Sequence, residues 1–254
     1  DDLGESWNLL GGTNTCCQGG NEAKLVELDN GSIILSSRMN GGRYYNVFKY
    51  SNSDWTSGSW EYTGSPSSSV KASLSGGSGC NGEFILYKGV TRASDKAKVD
   101  ILLQSLPTNS NRENVSVFYQ EIEAASTNIK ASTIASGWTK GIEVDNGASG
   151  YSTMTILPNG EIGFLYEDNY DTSKADGDYS DIVYVPLTVS EITSAAYTYT
   201  SSEVVKETVA TPVITPNGGE IEAGTKVAIA CATEGATIYY SIDGTEPTEE
   251  YSAP

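Results

Sequence analysis

The chain contains no histidine. That absence removes every nucleophile activated by an imidazole, the Ser-His-Asp relay included, and leaves Asp, Glu, Lys or Tyr as bases. Cysteine is scarce. Cys16, Cys17, Cys80 and Cys231 are the only four, and none has the paired spacing of a zinc site. Cys16 and Cys17 are adjacent and poorly placed to bridge each other, so no disulfide framework is indicated. A link from one of them to Cys80 stays open for an oxidising compartment. Basic residues are few: 15 Lys and Arg against 33 Asp and Glu, a formal net charge of -18. That balance argues against nucleic acid and anionic membrane as partners, because both need a basic surface. No apolar run is long enough to span a membrane. No cofactor or metal is expected. The acidic cluster Asp171, Asp176, Asp178 and Asp181 has no recognised calcium-loop spacing.

What the chain does contain is short runs of Val, Ile, Tyr and Thr between clusters of Gly, Asn, Asp and Ser. That pattern predicts an all-β fold. Strand candidates fall into three groups: 22–28, 32–38, 43–50 and a fourth near Trp60; then 83–88, 98–105, 114–120 and one near 130–135; then 151–157, 161–167, 181–188 and a run near 195–199. The repeat of roughly 60 to 70 residues suits propeller blades with long loops. Residues 1–205 thus read as about three and a half four-stranded units of a partial β-propeller, short of a closed ring. The segment Asp1–Trp7 resembles an Asp box, with Asp2, Gly4, Ser6 and Trp7 on its positions and its opening Ser one residue too early for this chain. The chain is therefore expected to start inside a hairpin turn, as one part of a larger protein. A degenerate copy lies at Ser53–Trp60. Past residue 205, Pro212, Pro216 and a Gly-Gly turn precede short alternating runs, which predicts a small, truncated β-sandwich over 206–254.

Two segments overlay without a gap: Glu22–Arg38 and Tyr151–Glu167. Each turns at Asn-Gly, at Asn30-Gly31 and Asn159-Gly160, which predicts a two-residue hairpin turn. An antiparallel ladder then sets Glu22 beside Arg38, and Tyr151 beside Glu167, at the open ends of two hairpins. Arg112 precedes the third strand of its group and belongs to the same end, with Arg43 as its competitor. Two arginines can hold a carboxylate bidentately. A tyrosine beside a glutamate can be activated as a nucleophile, and unlike a carboxylate it is not repelled by an anionic substrate.

These residues resemble the exo-sialidase family of bacteria and animals, which implies a six-bladed propeller releasing terminal sialic acid with retention. Sialidases depart from the usual two-carboxylate glycosidase pattern by using a tyrosine. The resemblance implies Tyr151 as nucleophile, Glu22 as its base, Arg38 and Arg112 as two of three carboxylate-binding arginines, and Glu167 as support for the remaining arginine. That first arginine, usually in Arg-Ile-Pro, and the acid/base aspartate are absent from this chain. The chain is thus expected to need the N-terminal part of the propeller for activity. GATIYYSIDGTEPT in the tail resembles the C-terminal domain of chitobiases and hexosaminidases. The implied partners are sialylated glycans, and the implied location is secreted or the bacterial cell envelope. Alternatives are a non-catalytic glycan-binding or adhesion propeller, and a trans- or intramolecular sialidase.

Overall fold

The computed structural model describes residues 10–11, 16–17, 19–39, 42–52, 57–61, 70–71, 80–168, 181–200 and 209–252. The segment at the start that resembles an Asp box, most of its degenerate copy and the acidic cluster up to residue 180 lie outside them. Two compact units divide the chain, Asp1–Ser201 and Ser202–Pro254.

The first unit is built from three antiparallel sheets. The first sheet has β1 (Asn21–Glu27), β2 (Ile33–Met39), β3 (Gly42–Tyr50) and β4 (Gly58–Trp60) in sequence order, with β5 (Val70–Lys71) also paired to β3. The second contains β6 (Phe84–Arg92), β7 (Lys98–Pro107), β8 (Val115–Ile122) and, after helix α1 (Ala131–Ser136), β9 (Thr139–Glu143). The third has β10 (Ser149–Ile156), β11 (Ile162–Asp168) and β12 (Asp181–Leu187). Helix α2 (Val189–Ile192) and β13 (Tyr197–Thr198) close the unit.

Alternation along the strands gives the second sheet two apolar faces. One face joins Phe84, Leu102 and Ile122 to Val26, Ile34, Tyr45 and Val47 of the first sheet. The other joins Tyr87, Ile101, Leu103, Val115 and Val117 to Met154, Ile162 and Phe164 of the third. Each large side chain in these layers contributes about 1.5–3 kcal/mol by leaving water. The three sheets are therefore layered face to face, with the second in the middle.

Three expectations need correction. Residues 130–135 form no strand. Ala131, Ile134 and Ala135 are buried at helical spacing, so α1 forms there and β9 follows as the fourth strand. The run near 195–199 does not complete the third sheet; Tyr197 and Thr198 pair with Arg92 and Thr91 of the second. The cause is local. Thr188 and Glu191 form a reciprocal cap that starts α2, and left-handed Ser194 and Ala195 then reverse the chain. Finally, the Asn-Gly turns have three-residue loops. Leu28 N–H bonds to Ser32 and Gly31 N–H to Leu28, and only Gly31 has positive φ, at 77°. Leu157, Gly160 and Glu161 repeat this geometry. It is a type I turn completed by a left-handed glycine.

The second unit pairs β14 (Val213–Thr215) with β15 (Ala228–Ala230), and β16 (Tyr239–Tyr240) with β17 (Glu249–Glu250). Cys17, Cys80 and Cys231 form no disulfide. No described helix is long and apolar enough to cross a membrane.

Candidate active site

Both repeated hairpins carry a bulge near their open end. Asn21 pairs with Arg38 but Lys24 pairs with Ser36, so β1 holds one extra residue. In the third sheet Ser149 pairs with Asp168 and Ser152 with Tyr166, which is the same irregularity. Bulges re-aim side chains at strand ends. The extra residues fall where Glu22 and Tyr151 stand. Glu22 takes a left-handed φ of 42°, and Arg112 one of 59°. Such conformations cost about 1–3 kcal/mol for a residue other than glycine and persist only where the surroundings enforce them.

The five sequence-selected residues converge. The Tyr151 hydroxyl donates to Glu22 Oε1 at 2.5 Å. Arg38 Nη1 donates to both Glu22 oxygens at 2.8 Å and to the Tyr151 hydroxyl at 2.9 Å. The Arg112 guanidinium lies 5.6 Å from the centre of the Tyr151 ring. Glu167 Oε2 accepts from the Tyr151 backbone N–H at 2.8 Å. Thus the carboxylate bonded to the phenol belongs to Glu22, while Glu167 grips the backbone. Arg43 proves distinct from Arg112. It is 1% exposed and bonds Ser36 through Nε and Nη2, with longer contacts to the Glu22 carbonyl. It holds the bulge from beneath.

Electrostatics follow from these contacts. Burial pushes the Glu22 carboxyl up, but the Arg38 and Tyr151 hydrogen bonds and the charges of Arg38 and Arg43 outweigh it, so Glu22 titrates below an ordinary glutamate. The bond to Glu22, followed by burial, raises the Tyr151 phenol against the opposing pull of Arg38. At neutral pH the pair is a neutral phenol donating to a carboxylate. Cys80 is fully buried among these groups. Burial lifts its thiol to about 11, while Arg112 and Arg38 act in the opposite sense. It stays an inert thiol.

A polar layer runs through the otherwise apolar stack. Ser36 donates to Gln104 at 2.7 Å, and Ser105 and Ser152 share a bond of 2.9 Å; all four side chains are buried. Its signal in the sequence is the Gln-Ser interruption of the apolar strand ILLQSLP. At its edge, a Cβ on Gly82 would stand 1.6 Å from the Ser105 carbonyl oxygen. Gly82→Ala is therefore expected to destabilise the fold by at least about 1–3 kcal/mol. A lower denaturant midpoint measures this; an unchanged midpoint contradicts the close approach.

Residues 216–254 match the model of the chitobiase/beta-hexosaminidase C-terminal domain. Among solved structures, the intramolecular trans-sialidase from Ruminococcus gnavus is similar at 22% identity and a TM-score of 0.51, over 75% of this chain and 37% of that one. The first unit has a sialidase-like fold. The leech intramolecular trans-sialidase is similar at 18% identity and a TM-score of 0.48, over 76% of this chain and 27% of that one. NanB sialidase from Streptococcus pneumoniae is similar at 21% identity and 0.44, over 76% and 27%. The chain therefore spans about a quarter to just over a third of the length of these sialidases. No curated protein matches it significantly.

Proposed function

We propose that this chain is the C-terminal part of a six-bladed retaining exo-α-sialidase and supplies part of its active site. The observation that carries the reading is the Tyr151 hydroxyl bonded to Glu22 at 2.5 Å, with Arg38 bridging both. Tyr151 Oη attacks the anomeric carbon and gives its proton to Glu22. The glycosidic C–O bond breaks, and its oxygen takes a proton from an acid supplied by the rest of the protein. Water then attacks the anomeric carbon of the tyrosyl-glycosyl intermediate and gives its proton to the conjugate base of that acid; the bond from that carbon to Tyr151 Oη breaks, and Glu22 returns the first proton to Oη. Two inversions leave net retention. Arg38 and Arg112 hold the sugar carboxylate. The planar Arg38 fork offers a carboxylate an edge beyond Nη1. Glu167 steadies the arginine contributed by the N-terminal part.

The outer face of the third sheet supports a further blade packed against it. Leu165, Ile182 and Tyr184 are 39%, 69% and 54% exposed there, an unusual outlay of apolar surface on one face. The test is to add the full-length protein to a defined α-sialoside and follow the released sugar by proton NMR. The α-anomer of sialic acid should appear before mutarotation. First appearance of the β-anomer, or no release, overturns the reading.

A further inference from the structure

Glu83 lies just before β6 in the middle sheet and makes no bond to Glu22 or Tyr151. Its Oε2 accepts from Lys24 Nζ at 3.1 Å and from Thr153 Oγ1 at 2.7 Å. Those two residues occupy the same place in the two repeated hairpins, each two positions beyond Glu22 or Tyr151. One carboxylate oxygen therefore bridges the first and third sheets.

Glu83 is itself held firmly. Its Oε1 accepts from Phe84 N–H at 3.2 Å, its own N–H donates to Ser105 Oγ at 2.9 Å, and its carbonyl accepts from Gln104 Nε2 at 2.8 Å. The side chain is only 15% exposed. Such a clamp, anchored on the middle sheet, ties the two outer sheets to each other. A phenol-carboxylate bond of 2.5 Å tolerates little change in that distance.

We propose that Glu83 is a positioning residue that fixes the separation of Glu22 and Tyr151 through Lys24 and Thr153. The inference rests on the reading of that pair as base and nucleophile. Its structural content can be measured without turnover.

The probe is 3-fluorotyrosine placed at position 151 in the full-length protein, titrated by fluorine NMR. Thr153→Val removes the clamped hydroxyl with no change in charge at an exposed position. It should loosen the Tyr151–Glu22 bond and move the Tyr151 titration down by about half a pH unit, a roughly threefold change in ionisation constant. Glu83→Gln should do the same. The double variant should shift it no further than the larger single change, because both act on one clamp. An unmoved titration in Thr153→Val overturns the proposal, even if Glu83→Gln moves it, because Glu83 would then act by charge alone. Additive shifts overturn it too. In the full-length protein, Glu83→Gln should lower kcat about tenfold with KM within about twofold, the pattern of lost orientation rather than lost binding. A raised KM with unchanged kcat contradicts positioning. If the unmodified full-length protein releases no sialic acid, the sialidase reading falls, and the titrations still decide the role of Glu83.

Discussion

Tyr151→Phe in the full-length protein is expected to abolish retaining hydrolysis, with kcat down by on the order of 10²–10⁴-fold or more. The change removes one oxygen. The ring that lies near Arg112 and Arg38 stays, and so does the backbone N–H bound to Glu167. The fold should therefore hold, with an unfolding midpoint near that of the parent. On the proposed mechanism, what is lost is the atom that would form the covalent bond and the proton it would pass to Glu22. Any residual release should proceed without a tyrosyl intermediate, so the anomer of first-formed product should no longer be purely α. Retained activity with strict retention sinks the assignment of Tyr151.

Arg38→Met is expected to produce the second largest effect, and its signature is a displaced pH profile. Arg38 Nη1 bonds both oxygens of Glu22 and the Tyr151 hydroxyl. Losing charge-assisted bonds of about 1.5–3 kcal/mol each should raise KM for a sialoside roughly 10–10²-fold. Burial, the largest influence on Glu22, pushes its carboxyl up, and it is overcome only because Arg38 and its neighbours pull down. Without Arg38 that carboxyl rises. The base form of Glu22 is then lost at a higher pH, and the acidic limb of kcat/KM shifts upward. Stability moves in the same sense. A carboxyl whose folded value is depressed stabilises the protein above its unfolded value and loses that contribution as pH falls through the folded one. In Arg38→Met the contribution is gone, so acid unfolding should begin at higher pH. An acidic limb that stays in place rules out Glu22 as the titrating base.

The two hairpins were readable from the sequence because their determinants are local. Apolar alternation, an Asn-Gly pair and a separation of sixteen positions between the end groups suffice to bring Glu22 to Arg38 and Tyr151 to Glu167. The union of the two hairpins at one end followed from strand direction. The bulges did not follow, because a register slip of one residue leaves no mark in composition; it depends on Arg43 and the pairing partner. Helix α1 was misread as a strand because a run of six residues is too short for its apolar period to separate the two. Strand β13 was assigned to its sequence neighbours, whereas its partners lie about a hundred residues earlier, at Thr91 and Arg92. The role of Glu83 is hidden in the sequence for a related reason. A glutamate at the first position of the strand candidate 83–88 looks solvated until Lys24 and Thr153 are brought to it from either side.

The Tyr151–Glu22 bond joins residues 129 positions apart. Closing a loop of that length costs roughly 4 kcal/mol in chain entropy, before any fixed terms. Nothing local to either hairpin offsets that cost. It is met only when the middle sheet has formed and both outer hairpins have docked on it. The Tyr151–Glu22 contact should consequently be among the last native contacts to appear in refolding, well after the hairpins register as β structure by circular dichroism. Competence for chemistry would then mark the end of folding, and a partly folded chain could not expose an activated tyrosine.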